Sequence, residues 1–259
     1  MKTAANSNGG SGHNVRAVAR AIDILVAVGG RPLRLSDLSA RVGLHKASVA
    51  RLAETLVAAG MLARDERLNY SLGPQVVLLA GQLLSQYRRA ADLLREPLQR
   101  VWNATRETVT VHVRVDLECL CVAEIPTPQP IGYRAGPGTR APLHAGATSK
   151  VLLAFLPDGE RTEILGRLAL VPITGRTVTS VERLTQQLED IRRQGFAISA
   201  SEYIVGGAAV SVPVFDLTGV TAAVSVHGPE SRLTEAKLEE YGALLMREIR
   251  PLGVAVSDG

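Results

Sequence analysis

Lys46, Ser48 and Arg51 stand close together in KASVAR, and Arg64 and Arg67 bracket the short run RDER. Small hydroxyls and cations spaced about one helical turn apart suit hydrogen bonds to the base edges and phosphates of a duplex. A second set, Cys121, His144, Ser149, Lys150 and His227, contains nucleophiles and bases. It makes an enzyme only if folding sets a nucleophile beside its base. No nucleophile elbow, phosphate-cradling glycine loop or metal-ligand spacing accompanies these residues. The chain's two cysteines, Cys119 and Cys121, alternate along an expected strand and so share a face. A disulfide there is geometrically poor, and a metal centre needs more ligands. They read as buried thiols in a reducing compartment, so a cytoplasmic location is expected, without cofactor or metal.

The elements that must position the basic set run from Val15 to Gly73, in the order helix, helix, turn, helix, basic hairpin. VRAVARAIDILVAV puts Val15, Val18, Ala19, Ile22, Leu25 and Val26 on one helical stripe, the face expected to be buried. SDLSARV is a short helix with Ser36 as expected N-cap and Asp37 in its first turn. Gly43 ends it where the chain must reverse at positive φ. KASVARLAETLVAAG then buries Val49, Leu52, Ala53, Leu56 and Val57 and shows Lys46, Ser48 and Arg51. In MLARDERLNYSLG, residues 61–63 and 68–72 are expected strands with Asp65–Arg67 at the tip, which sets Arg64 and Arg67 toward phosphates. The whole is a winged helix-turn-helix pattern. A three-helix bundle with a solvated basic face is the plainer alternative.

Charge separates this segment from the rest. Residues 1–73 hold ten Lys/Arg against five Asp/Glu, and of the chain's 29 and 25 that leaves 19 and 20 for residues 74–259. The excess positive charge sits in the small N-terminal part, which implies a polyanionic partner for it alone. Aromatic residues are 3% of the chain, too few for a platform that stacks single-stranded bases. No apolar run reaches the length of about 18 residues that a membrane span needs. MKTAANSNGGSGHN, residues 1–14, reads as a disordered arm without the apolar segment of a signal peptide.

Pro74 opens a linker helix, residues 74–89, whose broad apolar surface (Val76, Val77, Leu79, Ala80, Leu83, Leu84) needs a partner, either a second subunit or the rest of the chain. A second helical run over residues 90–105 holds Leu93, Leu94, Leu98, Val101 and Trp102. From Thr108 the period changes to two in TVTVHVRVDL, a half-buried strand. Residues 120–125, 196–199, 210–215 and 220–227 are further strands, with another short one at Tyr133. Asp216–Gly219 is a hairpin turn. Ser180 caps a helix ended by Gly195, and a last helix runs from about Thr234 to about Leu252. Residues 90–259 are therefore an α+β domain, an antiparallel sheet flanked by helices.

RAIDIL, LSDLSARVGLHKASVARLAETLVAAGML and NYSLGPQVVLLA resemble the winged-helix half of the IclR family of bacterial transcriptional regulators. The likeness continues in APLHAGATSKVLLAFLP and in RRQGFAISASEYIVGGAAVSVPVFDLTGVTAAVSVHGPESRLT, and so covers nearly the whole chain after Val15. It implies a GAF-like effector domain, a homodimer or dimer of dimers, operator DNA as partner and a small-molecule effector, often an organic acid or aromatic metabolite. The DNA-contacting set it implies is His45, Lys46, Ala47, Ser48 and Arg51, to which Ser36, Arg64 and Arg67 are added. The effector set is Ala147, Thr148, Ser199, Ala209, Ser225 and His227. Two departures stand out. The family often has Gly-Lys where this chain has Ser149-Lys150, and often an acidic residue near Ser199.

The effector set has its own physical logic. Gly146-Ala147-Thr148 open a helix with small residues, so amides there can meet a carboxylate. Thr148, Ser199 and Ser225 add hydroxyls, and His227 a ring donor. Each also fits a structural role: Thr148 and Ser149 as caps, Ser225 as a buried strand hydroxyl, His227 bonded to backbone, His144 a support before the helix. The expected function is a ligand-responsive, sequence-specific repressor. An enzyme on the C-terminal domain and an architectural protein that coats DNA are the alternatives; the first leaves the basic winged helix idle, the second leaves the near-neutral second domain idle.

Overall fold

The computed structural model describes residues 15–249, with backbone alone over residues 82–93. The expected arm at residues 1–14, the side chains of Leu83, Leu84 and Leu93 and the expected helix end near Leu252 lie outside the described residues. The chain divides into two compact units, residues 1–86 and 87–259.

The first unit runs α1 (Arg16–Val28), β1 (Leu33–Arg34), α2 (Leu35–Val42), α3 (Lys46–Ala58), β2 (Leu62–Arg64) and β3 (Asn69–Leu72). Its core is Ile24, Leu38, Val49, Ala53, Leu62 and Tyr70, all 3% exposed or less. Each such aliphatic side chain contributes roughly 1.5–3 kcal/mol by leaving water. The strands order β1-β3-β2, antiparallel. Gly43 ends α2 at φ +66°. Gly73 is demanded by packing: a Cβ there would lie 2.2 Å from the Gly60 carbonyl oxygen.

Three expectations for this unit need correction. Ser36 is not the cap of α2. The helix starts at Leu35 behind Arg34, with no side-chain cap bond, because β1 pairs with β3 and delivers the chain straight into the helix. The α1 stripe is not the buried one: Ile24, Ala27 and Val28 face the core, while Val15, Val18, Ile22 and Val26 are 53–73% exposed. On α3, Val57 is exposed and Leu52 and Leu56 are half-buried.

Residues 74–105 form one helix, α4 (Pro74–Thr105), with Pro97 inside it, rather than two runs. The second unit continues β4 (Thr108–Val115), β5 (Glu118–Ile125), β6 (Arg140–Pro142), α5 (Ala147–Ala154), α6 (Asp158–Arg167), α7 (Val181–Gln194), β7 (Ala197–Ala200), β8 (Gly207–Asp216), β9 (Gly219–Pro229) and α8 (Glu235–Ile249). The sheet is antiparallel throughout, in the order β6-β5-β4-β9-β8-β7. Tyr133 is not in a strand; the Gly/Pro-rich segment around it stays irregular, and the edge strand forms later, at β6. Ser180 caps α7 by accepting from Arg183 N–H, and Gly195 closes it at φ +87°.

One face of the sheet presents Val109, Val111, Val113, Val210, Val212, Val224 and Val226 to a core shared with Leu98, Val101, Leu238, Leu245 and Ile249. The other face carries Cys119, Ala197, Ala209 and Ala223 into a second core with α5 and α7. Those alanines let α5 approach closely, and all eight of its residues are buried.

Candidate DNA-contacting and ligand-binding sites

In the first unit, His45 is the N-cap of α3, and its Nδ1 accepts from the Ala47 N–H at 3.3 Å. The turn before it is closed by Leu44 N–H donating to the Ser39 carbonyl and Ser39 Oγ donating to the Leu44 carbonyl. Lys46, Ala47 and Arg51 are exposed on the outer face of α3, Ser48 is half-buried, and Ser36 is exposed in the first turn of α2. The hairpin tip is pinned by Asp65, whose carboxylate accepts from the backbone and side-chain N–H groups of Asn69, each at 2.8 Å. Those bonds hold the Asp65 carboxyl below the usual carboxylate range. Arg64 lies with its guanidinium carbon 5.4 Å from the centre of the Tyr70 ring. Among the described residues, Lys46, Arg51, Arg64 and Arg67 form no ion pair. With no ion pair among the described residues to neutralise it, their charge is available to a polyanion.

In the second unit, a cavity of about 510 Å³, its solvent-open mouth included, lies at the start of α5. Of the expected effector residues it brings together Ala147, Thr148, Ser199, Ala209 and His227. Ser225 is not in the wall. It lies behind it, fully buried, its hydroxyl 2.8 Å from both Thr148 Oγ1 and Ser211 Oγ. Gly146 turns the chain into α5 at φ +86°. The Ala147 N–H donates to Ser199 Oγ at 3.0 Å. The Thr148 and Ser149 amides, in the first turn, have no helical acceptor behind them. Ser149, where glycine is frequent in the family, enters the wall and meets Cys119 Sγ at 3.2 Å. Both cysteines are buried and free. Burial pushes the Cys119 thiol up, and the Cys121 thiol up to about 12, so neither is a thiolate at neutral pH.

The wall also holds residues that the sequence had not singled out for it: His112, Tyr133, Tyr203 and Ile204 among them. His227 Nε2 is 2.9 Å from Thr110 Oγ1, and Tyr133 stacks on the His227 ring at 4.6 Å between centres. The His112 ring is 6.1 Å from that of His227. Burial lowers His112 to about 4; burial, and secondarily His112, lowers His227 to about 3. Both rings are neutral at physiological pH. Among the described residues, no Asp, Glu, Lys or Arg lines the cavity. Lys150 points away from it: its ammonium donates to Gln187 Oε1 at 2.7 Å and pairs with the carboxylate of Glu202, both side chains 6% exposed or less. Glu202 thus supplies an acidic residue close to Ser199 after all, committed to that pair rather than to the cavity. His144 lies outside the cavity wall, with Nε2 2.9 Å from the Val171 carbonyl.

A helix-turn-helix with a basic wing, joined in one chain to an α+β unit with a cavity lined by small and polar side chains, fits a DNA-binding regulator. Residues 17–66 match the IclR helix-turn-helix domain, and residues 87–251 match the family described as Bacterial transcriptional regulator IclR C-terminal. The chain belongs to the IclR family of bacterial transcriptional regulators. The HTH-type transcriptional regulator KdgR of Escherichia coli (strain K12) is 31% identical over 244 residues, covering 92% of this chain and 92% of its own. The crystal structure of the Thermotoga maritima IclR superposes with a TM-score of 0.76 at 26% identity, over 93% of this chain and all of that one. An IclR homologue from Microbacterium hydrocarbonoxydans, solved in complex with 4-hydroxybenzoate, shares the fold (TM-score 0.71, 24% identity, 91% of this chain and 99% of that one). The family's members are regulators, not enzymes, and the enzyme alternative falls with that.

Proposed function

We propose that this protein is a ligand-responsive, sequence-specific repressor that works in the cytoplasm as a dimer or dimer of dimers. The observation that carries this reading is the presence of two sites in one chain: exposed cations on α3 and the hairpin without an ion pair among the described residues, and a cavity at the α5 N-terminus whose described lining carries no Asp, Glu, Lys or Arg. Each protomer lays α3 in a major groove, with Lys46, Ser48 and Arg51 toward the bases and Arg64 and Arg67 on phosphates, while His45, Ala47 and Ser36 border the contact. The cavity takes a small carboxylic acid, its carboxylate on the Thr148 and Ser149 amides. The 4-hydroxybenzoate complex of the Microbacterium homologue supports an acid of that size.

Dimerisation is supported by what α1 leaves uncovered. Val15, Val18, Ile22 and Val26 form an exposed apolar stripe, and Val77, Leu78 and Leu79 on α4 are also 49–72% exposed. A second copy covers both by two-fold symmetry and places two recognition helices on a palindromic operator. The effector acts by binding one subunit arrangement better than another, with a coupling of about 1–3 kcal/mol.

The test is capture of genomic fragments by the purified protein at physiological salt. Enrichment of a few promoters sharing a palindrome is expected, whereas uniform capture returns the architectural alternative. With the operator in hand, Arg51→Ala is expected to weaken binding by about 1–3 kcal/mol and leave oligomeric state unchanged. Normal operator binding by that variant removes α3 as the recognition helix.

A further inference from the structure

His112 stands on β4 opposite Cys121 of β5 and Ala223 of β9. Its side chain is 5% exposed and belongs to the cavity wall. Several other polar side chains of the wall have partners. Ser199 accepts from Ala147, Thr148 meets Ser225, Ser149 meets Cys119 and His227 meets Thr110. The His112 Nδ1 is fully buried and without a hydrogen-bond partner, the one such side-chain atom of the wall among the described residues. A buried polar atom left unpaired in a fold is a cost that a bound molecule can remove.

We infer that His112 is a specificity-determining residue: it reads a hydroxyl group on the ligand, so that the cavity selects a hydroxylated carboxylic acid over the parent acid. This rests on the reading of the cavity as a carboxylate site. The chemistry narrows the matching group. A neutral imidazole offers one N–H and one lone pair. A hydroxyl both donates and accepts, so it satisfies either tautomer. A carbonyl matches only one of them. An ammonium or a second carboxylate brings a charge into a cavity whose wall, among the described residues, has no charged side chain to meet it. Burial of the ring, which holds His112 neutral, is consistent with this partner. A site that hydrogen-bonds a ligand hydroxyl discriminates against its absence far better than apolar contact discriminates by size.

The experiment is titration calorimetry of the full-length protein with matched acids: benzoate against 3- and 4-hydroxybenzoate, and propionate against lactate. In at least one set the hydroxylated acid is expected to bind about tenfold tighter or better. His112→Leu is expected to erase that preference by weakening the hydroxy acid alone, with the parent acid's affinity unchanged. His112→Gln, which keeps a donor and an acceptor, is expected to retain part of it and serves where the leucine variant does not fold. A merely structural role would weaken both acids together. Equal binding within every set overturns the proposal while the carboxylate reading stands, as does a preference that survives in His112→Leu. Failure of all the acids to bind removes the carboxylate reading and this one with it.

Discussion

Lowering the pH should destabilise the second unit through His112 and His227, and by an amount the structure fixes. Both rings titrate near 6.5 when unfolded, and burial takes them to about 4 and about 3 in the fold. The native state therefore binds fewer protons than the unfolded chain between those values, so stability rises with pH across that window. The contribution is complete above about pH 6.5 and is lost as pH falls toward the folded values. Between about pH 7 and about pH 5 the unfolded state gains roughly 2 kcal/mol per histidine from proton uptake, about 4 kcal/mol for the pair. That figure depends little on how far below 5 the folded values lie, since neither native ring takes a proton in the range. The depressed carboxylates Asp158 and Glu248 act at lower pH, beneath their ordinary values of 3.8 and 4.5.

The assay is guanidinium unfolding at a series of pH values, read by fluorescence of Trp102, the only tryptophan in the chain. Its indole N–H donates to the Pro126 carbonyl at 2.9 Å within the second unit, so the signal reports that unit. Each single variant, His112→Gln or His227→Gln, should remove about half of the pH-dependent loss, and the double variant nearly all of it. A double variant that loses stability on acidification as steeply as the parent would refute the reasoning. The proton uptake would then lie elsewhere, and the two rings would not be buried neutral.

Two further outcomes follow from the packing. Lys150→Met strands the buried Glu202 carboxylate and should cost about 3–5 kcal/mol, whereas Lys150→Met with Glu202→Leu should recover most of it; the same unfolding assay decides, and a single variant as stable as the parent would mean the pair is not buried as described. Ile22→Asp puts two charges into a two-fold interface on α1 and should weaken the dimer by about 100-fold or more in sedimentation velocity. An unchanged dimer would place the interface elsewhere.

What was legible in the sequence was local. Helix α7 announces itself through Ser180, its apolar spacing and Gly195, and the turn into α3 through Gly43, because each signal is answered within a few residues. The α1 stripe was legible too, but its meaning was not. The helix is apolar on two faces, periodicity shows both alike, and only tertiary packing tells which one Ile24, Ala27 and Val28 bury. Ser225 and His112 fail for the complementary reason. On the sequence each is a polar residue alternating along a strand. That Ser225 is satisfied by Thr148 and Ser211, while His112 is left unpaired, is decided by the register of β4 with β9 and by the approach of α5. Tyr133 sits in a loop rather than a strand, and its ring stacks on His227 along a course that no short-range pattern specifies.

One non-local feature was nevertheless written in the strands. In β4, β8 and β9 one alternate set is valine: Val109, Val111 and Val113, then Val210, Val212 and Val214, then Val224 and Val226. The other set is small or polar: Thr108, Thr110 and His112, then Ala209 and Ser211, then Ala223, Ser225 and His227. Valines on one face pack densely against helices and leave no room. Alanines and hydroxyls on the other remove volume and add hydrogen-bonding groups, so a short helix can come close without filling the space at its own N-terminus. The sheet thus has a face packed on helices throughout and a face that also borders the cavity, set by side-chain size at period two. The cavity opens where the small residues of the second face meet the first turn of α5, and the amides of that turn are the groups a carboxylate would use.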